Sequence, residues 1–288
     1  MRSNTFKPGR LQRSIFMTCL IITGFINTAL AGKADSISVY SESMKKNVPC
    51  MVITPSGYGK SNKPYNVIFL LHGYSGNQNQ WLRDAPQLPT LADNYNFIIV
   101  CPDGGFNSWY FDSPKDPTYK YETFVSGELV KYIDKNYNTK ATKNSRAITG
   151  LSMGGHGALF LATRHTDIYG AAGSLAGGVN MRPFPNNWDI SKKIGDTACC
   201  EENWIRYSVV NVIESLKNKE LKLVIDCGVD DFFLNVNREL HKKLLDRKID
   251  HDYTERPGGH SGEYWGKTID YQLLAFSLFF NSVGAPKK

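Results

Sequence analysis

Cysteine is scarce in this chain, with six among 288 residues. No pair of them has zinc-site spacing, which excludes a structural zinc centre. Positive charge is also less abundant than the totals suggest. The chain holds 34 basic and 27 acidic residues, but Arg2, Lys7, Arg10 and Arg13 belong to a leader without acidic residues. The remainder carries 30 against 27. A surplus of three, with no basic run or patch, excludes a nucleic-acid partner on electrostatic grounds. Internal repeats and low-complexity stretches are missing, so a repeat array is excluded.

The leader itself reads as an address. After its basic residues, Ile15 to Ala31 is mostly apolar and ends in the small-x-small site Ala29-Leu30-Ala31. That is the pattern of a secretory signal peptide over residues 1–31, cleaved after Ala31 or, alternatively, Ala34. The apolar run is short for a bilayer span and is broken by Thr23, Asn27 and Thr28, which disfavours a stable membrane anchor. Bulky Phe16-Met17-Thr18 before Cys19 excludes a lipoprotein site. The protein is therefore expected to be secreted or periplasmic. Residues 32–288 then suffice for one large domain.

Five cysteines remain beyond the leader. Cys101 and Cys227 each close an apolar strand-like run, where buried free thiols are expected. Cys199 and Cys200 are neighbours, and a bridge between adjacent residues is strained. The pair is expected as free thiols or with one longer-range bridge; Cys50 completes the odd set.

From residue 66 onward, apolar runs alternate with helical stretches. Strands are expected at Asn66-Val67-Ile68-Phe69-Leu70-Leu71, at Phe97 to Cys101, at Arg146 to Thr149, at Gly170 to Leu175, at Leu221 to Cys227 and around Asp252-Tyr253-Thr254. Helices are expected over Gln80–Asn94, Tyr121–Tyr137, after Ser152, over Asn235–Leu245 and over Tyr264–Phe280. Ser36–Ser41 and Val48–Thr54 read as two leading, antiparallel strands. This alternation predicts an α/β fold with a mostly parallel sheet covered on both faces. One segment breaks the rhythm. Residues 180–206 carry Pro183, Pro185, Trp188, Trp204 and the cysteine pair without a clear period, and are expected to form a short irregular cap at the ligand-binding edge.

The chemistry concentrates at Gly150-Leu151-Ser152-Met153-Gly154. An apolar strand, a glycine-flanked turn and a helix make the context of a nucleophile elbow, with Ser152 on a strained turn above the sheet. A serine hydroxyl needs a base, and the base an orienting acid, in the chain order Ser, Asp or Glu, His. His72 and His156 come too early. His165 and His241 fall in helical segments, and His251 begins the last strand. His260, on the loop Pro257-Gly258-Gly259-His260-Ser261-Gly262, is the expected general base. The acid must follow the penultimate strand, where Asp231 is preferred, with Asp230 as the alternative; Asp226 is still within the strand and reads as structural. The oxyanion that forms needs two aimed N–H donors. Met153 N–H, directly after the nucleophile, and Tyr74 N–H, in the glycine-bent loop after the first central strand, are expected to supply them. Glu122 opens a helix, where it compensates the dipole.

Leu70-Leu71-His72-Gly73-Tyr74-Ser75-Gly76-Asn77 with Trp81, then Asn107-Ser108-Trp109-Tyr110-Phe111-Asp112, then Gly150 to Leu159, resemble the esterase D and tributyrin esterase branch of the α/β-hydrolases. Feruloyl and acetyl-xylan esterases and mycolyltransferases are similar relatives. The resemblance runs from about Ser36 to Phe280. It implies an α/β-hydrolase fold, a Ser152–Asp231–His260 triad with Tyr74 and Met153 as donors, and support for Asp231 over Asp230. It also implies that Trp109 lines the substrate site. Where cytosolic S-formylglutathione hydrolases of this family carry cysteine-containing loops, this chain has Tyr74-Ser75-Gly76, which together with an export signal points away from that substrate. The expectation is a serine carboxylesterase without metal or organic cofactor, acting on small or aromatic acyl esters, including acetyl or feruloyl esters of polysaccharides. Acyl transfer to a sugar hydroxyl is the alternative with the same triad.

Overall fold

A central sheet organises the chain because nearly every residue of its middle strands is apolar and its edge strands alternate. The computed structural model describes Met1 and residues 32–284; the expected signal peptide and the tail 285–288 lie outside the described residues. Two leading strands, β1 (Lys33–Ser41) and β2 (Lys46–Thr54), form an antiparallel hairpin. Then come β3 (Asn66–Leu71), α1 (Gln80–Asp84), α2 (Leu88–Tyr95) and β4 (Phe97–Pro102). Next, α3 (Tyr121–Thr123) passes through a π-helical stretch, Phe124–Leu129, into α4 (Val130–Asn136). The remaining elements are β5 (Arg146–Gly150), α5 (Met153–Arg164), β6 (Ala171–Leu175), α6 (Ile190–Ile194), α7 (Thr197–Tyr207), α8 (Val209–Val212), β7 (Lys222–Gly228), α9 (Leu234–Asp246), β8 (His251–Arg256) and α10 (Gly262–Gly284).

The strand order is β1-β2-β4-β3-β5-β6-β7-β8, parallel throughout except where β2 joins β1 and β4. Alternate residues of one strand face opposite layers. Val67, Phe69 and Leu71 of β3 enter a core with Leu159 and Phe160 of α5. Ile68 and Leu70 enter a second core with Leu273 and Phe276 of α10. Burial on both faces is what makes these strands read as continuous apolar runs. The parallel pairing of Leu71 with Gly150 brings the loops after β3 and β5 out side by side, at the edge where such sheets carry their sites.

Three local expectations differ from the structure. The helix expected over residues 80–94 is divided, because Pro86 lacks an N–H and pushes Ala85 out of helical geometry (φ −136°, ψ 70°). The insert at 180–206 is more regular than its sequence pattern. It carries α6 and α7, and the Asp196 carboxylate caps α7 by accepting from Cys199 N–H at 3.0 Å. Their apolar residues Ile190, Ile194 and Trp204 are buried in the core on the α5 side of the sheet.

The cysteine pair also corrects the expectation. Cys199 and Cys200 are bonded to each other rather than free or bridged at long range. Cys200 leaves helical geometry (φ −140°, ψ 37°). Gly195, at φ +90°, keeps clear a space in which a side chain would strike the Cys200 sulfur. Cys50, Cys101 and Cys227 are buried free thiols.

Candidate active site

Ser152 sits between β5 and α5 with φ 54° and ψ −117°, a strained conformation for a residue with a side chain, costing about 1–3 kcal/mol. The surrounding packing holds it there. A Cβ on Gly150 would strike the Gly154 backbone, and one on Gly154 would strike the Leu71 carbonyl. Ser152 N–H donates to the Leu175 carbonyl at 2.9 Å, tying the turn to β6. Because α5 begins at Met153, the first N–H groups of that helix are unsatisfied by the helix itself.

His260 arrives on the loop between β8 and α10. Its Nε2 lies 2.9 Å from Ser152 Oγ, and its Nδ1 lies 2.8 Å from Asp231 Oδ2. The Asp231 side chain is 0% exposed, and its other oxygen accepts from Phe233 N–H at 2.8 Å. An acceptor-only carboxylate on Nδ1 requires a proton there, so Nε2 presents its lone pair to the serine O–H. The acid and histidine loops are joined by backbone bonds: Val229 N–H to the Arg256 carbonyl at 2.8 Å and Asp230 N–H to the Gly258 carbonyl at 2.9 Å. Asp230, the alternative acid, is exposed. Asp226 is bound within the scaffold, accepting from Arg256 Nε at 2.6 Å and from the Tyr264 hydroxyl; burial raises its carboxyl above the ordinary value.

The loop after β3 runs beside the serine. A Cβ on Gly73 would come within 3.5 Å of Ser152 Cβ and into the Leu151 side chain. Neither Tyr74 N–H nor Met153 N–H donates to any group among the described residues, so both are free to donate to an external oxygen. His72, set aside above as a base, is buried directly behind this loop. Its Nε2 accepts from Gly104 N–H at 2.7 Å, which places the proton on Nδ1, 2.7 Å from the Gly73 carbonyl.

Trp109 is 1% exposed. It packs edge-on against His156 and donates from Nε1 to the Trp188 carbonyl at 3.3 Å. It therefore supports the insert from beneath and has no open face for a substrate. The open aromatic surface belongs to Phe232 and Phe106, which the sequence did not single out, together with Trp188 of the insert. Phe232, 51% exposed, lies over His260 with ring centroids 4.2 Å apart, and Trp188 stacks on Phe232 at 5.6 Å. Phe106, 55% exposed, meets the Tyr74 ring at 4.9 Å. The Phe-Phe pair 232–233 looks like ordinary core in sequence, so only its place beside the Asp231 position could have drawn notice.

Glu122, in the first turn of α3, accepts from Arg164 Nε at 2.7 Å and pairs with His165 at 2.9 Å. Its partners are at the far end of α5, not at Ser152. His241 and His251 pair with each other at 2.7 Å. Among the described residues, no group of three or more His, Cys, Asp or Glu side chains is placed to hold a metal, and no helix is long and apolar enough to cross a membrane.

A bent serine, an imidazole and a buried carboxylate in one hydrogen-bonded line, beside two unused N–H groups, can perform acyl transfer through a serine ester. Residues 41–276 match the family model described as "Putative esterase". An acetyl esterase of Caldicellulosiruptor saccharolyticus is 27% identical, covering 81% of this chain and 94% of its own length. An esterase of Mycobacterium tuberculosis is 31% identical over 73% of this chain, which spans 51% of that longer protein. A ferulic acid esterase structure superimposes with a TM-score of 0.76 at 27% identity, covering 87% of this chain and 99% of the other. The fold is that of the α/β-hydrolases.

Proposed function

The chain belongs to this esterase family, and from that premise we propose that it is an exported serine carboxylesterase acting on acetyl or aromatic acyl esters, including those borne by polysaccharides. Carboxylesterase activity follows from the family; the finer assignment rests chiefly on the line Ser152–His260–Asp231, with separations of 2.9 and 2.8 Å.

In this reading the Ser152 hydroxyl attacks the ester carbonyl while His260 Nε2 takes its proton. Asp231 stabilises the imidazolium and holds it in register. The carbonyl oxygen becomes an anion between the N–H groups of Tyr74 and Met153. Collapse of the tetrahedral species expels the alcohol, protonated by His260, and leaves an acyl-enzyme. Water, activated by the same imidazole, then releases the acid and restores the serine. No step uses a cofactor.

Phe232, Phe106 and Trp188 favour an aryl acyl or aryl-bearing group, since flat apolar rings at the site mouth stack on such groups. The likeness to an acetyl esterase favours a small acyl group. Export is proposed from the leader pattern alone. A panel of nitrophenyl esters from acetate to octanoate, run beside acetylated and feruloylated xylan, tests the assignment. Release of acetate or ferulate is expected; no hydrolysis of any member would overturn it. Acyl-sugar as the main product with excess sugar acceptor would redirect the assignment to transfer.

A further inference from the structure

The insert reaches the oxyanion loop through one carboxylate. Asp189 lies between Trp188 and α6, and its Oδ2 accepts from the Tyr74 hydroxyl at 2.9 Å and from Asn107 Nδ2 at 3.2 Å. Its Oδ1 is 2.7 Å from the Lys192 ammonium. Trp188 and Asp189 both have positive φ, 51° and 55°. Two consecutive non-glycine residues in the left-handed region are unfavourable unless the surroundings hold them. Here the holders are the bond from Trp109 to the Trp188 carbonyl and the three donors around Asp189.

We propose that Asp189 is a positioning residue for catalysis, acting through the Tyr74 side chain to hold the Tyr74 N–H on the developing oxyanion. The inference rests on the serine-esterase reading above. The carbonyl end of the Gly73–Tyr74 peptide is anchored by His72 and by Gly76 N–H, 2.7 and 3.0 Å away. On the other side of Tyr74, Ser75 N–H donates to the Phe106 carbonyl at 2.8 Å, so the backbone is tied at both flanking peptides and only tilting of the Tyr74 N–H between these two ties is left to the side chain. The phenol, fixed to Asp189 at its far end and against Phe106 along its edge, adds an anchor at Tyr74 itself. Burial and then the neighbouring carboxylate raise the Tyr74 hydroxyl above its ordinary value, so it remains a donor at working pH. Lys192 offsets the Asp189 charge, which keeps that carboxylate from opposing the anion it helps to place. Tyr74→Phe retains the backbone N–H and removes only the tie, which separates positioning from donation.

The test measures kcat and KM on nitrophenyl acetate, and inhibition by a boronic acid that forms a tetrahedral anion on the serine. Variants are Tyr74→Phe, Asp189→Ala, their combination, and Asp189→Asn, which can still accept from Tyr74. Each of the first two is expected to lower kcat about ten-fold, short of the ~10²-fold or greater loss on deleting a donor. KM should stay within about two-fold, and boronate inhibition should weaken in proportion to kcat. The combined variant should be no worse than either single one, and Asp189→Asn should recover most of the loss. Wild-type kcat in Tyr74→Phe, losses that multiply in the combination, or lowered thermal stability with unchanged boronate affinity would overturn the inference. Ser152→Ala separates the two levels. If it is inactive while Tyr74→Phe turns over normally, only the Asp189 role fails; if it retains turnover, both readings fall.

Discussion

His72 Nδ1 lies 2.7 Å from the Gly73 carbonyl oxygen, and this contact aims a different group. In a trans peptide the carbonyl and the following N–H point in opposite directions. Holding the Gly73 carbonyl toward the core therefore turns the Tyr74 N–H away from it, in a loop that runs beside Ser152. The tautomer required is set by Gly104 N–H at Nε2. In the proposed mechanism, a residue that looks like the end of a strand thus orients one of the two oxyanion donors.

Replacing His72 by Leu removes that restraint without touching Ser152, His260 or either N–H donor. The expected result is a fall in kcat of about 10- to 100-fold, below or at the loss caused by deleting an oxyanion donor outright, with a smaller change in KM. Steady-state kinetics on nitrophenyl acetate reads it. An unchanged kcat would show that the loop holds its shape unaided.

Ser152→Ala and His260→Ala should each lower kcat by roughly 10³-fold or more. Because the two act as one unit, the double variant should be little worse than either alone. Asp231→Asn should lower kcat as well, since an amide can hold the imidazole in the wrong tautomer. Burst kinetics with a nitrophenyl ester would register the acyl-enzyme in the wild type and its absence in Ser152→Ala. Wild-type turnover in Ser152→Ala or His260→Ala would refute the assignment.

His156 provides a pH test of stability. It is buried among Trp109, Phe111 and Phe160, and burial pushes its pKa from 6.5 down to about 3. The folded chain leaves this imidazole neutral where the unfolded chain protonates it. Its linkage is thus neutral above pH 6.5, and stability is lost as pH falls from about 6.5 toward 3, by up to about 1.4 kcal/mol per pH unit. Urea unfolding at pH 7, 6 and 5 should show a shallower acid decline for His156→Leu than for wild type, whatever the offset at pH 7. Parallel pH profiles would contradict the linkage.

Thiol chemistry should report the cysteine arrangement. Protein lacking residues 1–31 and kept away from reductant is expected to react negligibly with a thiol reagent when folded, because burial shields its free thiols; burial pushes the Cys50 thiol up to about 12 and raises those of Cys101 and Cys227 as well. Denaturation should release three thiols, and reduction should then add the Cys199–Cys200 pair. Five thiols on denaturation alone would mean that the neighbours are not bonded.

Much of the architecture was legible because it follows from local rules. The run Asn66–Leu71 appears as β3 with the bounds its apolar residues suggest, since a strand buried on both faces has no polar position to blur its ends. The elbow was legible for the same kind of reason: Gly150 and Gly154 are small where a strand and a helix touch. The insert was not. Helix α6 is only five residues long and α7 is interrupted at Cys200, so neither has enough turns for its apolar period to stand out. The burial of Trp109 was not legible, because an aromatic in a motif can line a site or carry another ring, and the choice depends on what covers it.

By itself the sequence determined the alternation of strand and helix, the bent serine turn and the order in which serine, acid and histidine follow one another. These rest on side-chain period and glycine sterics, which act within a few residues. Only the tertiary structure decided that Asp231 faces inward and Asp230 outward, that neighbouring cysteines join, and that Asp189 meets a phenol 115 positions away. Those outcomes depend on loop paths set by packing between segments far apart in the chain, and no local pattern encodes them.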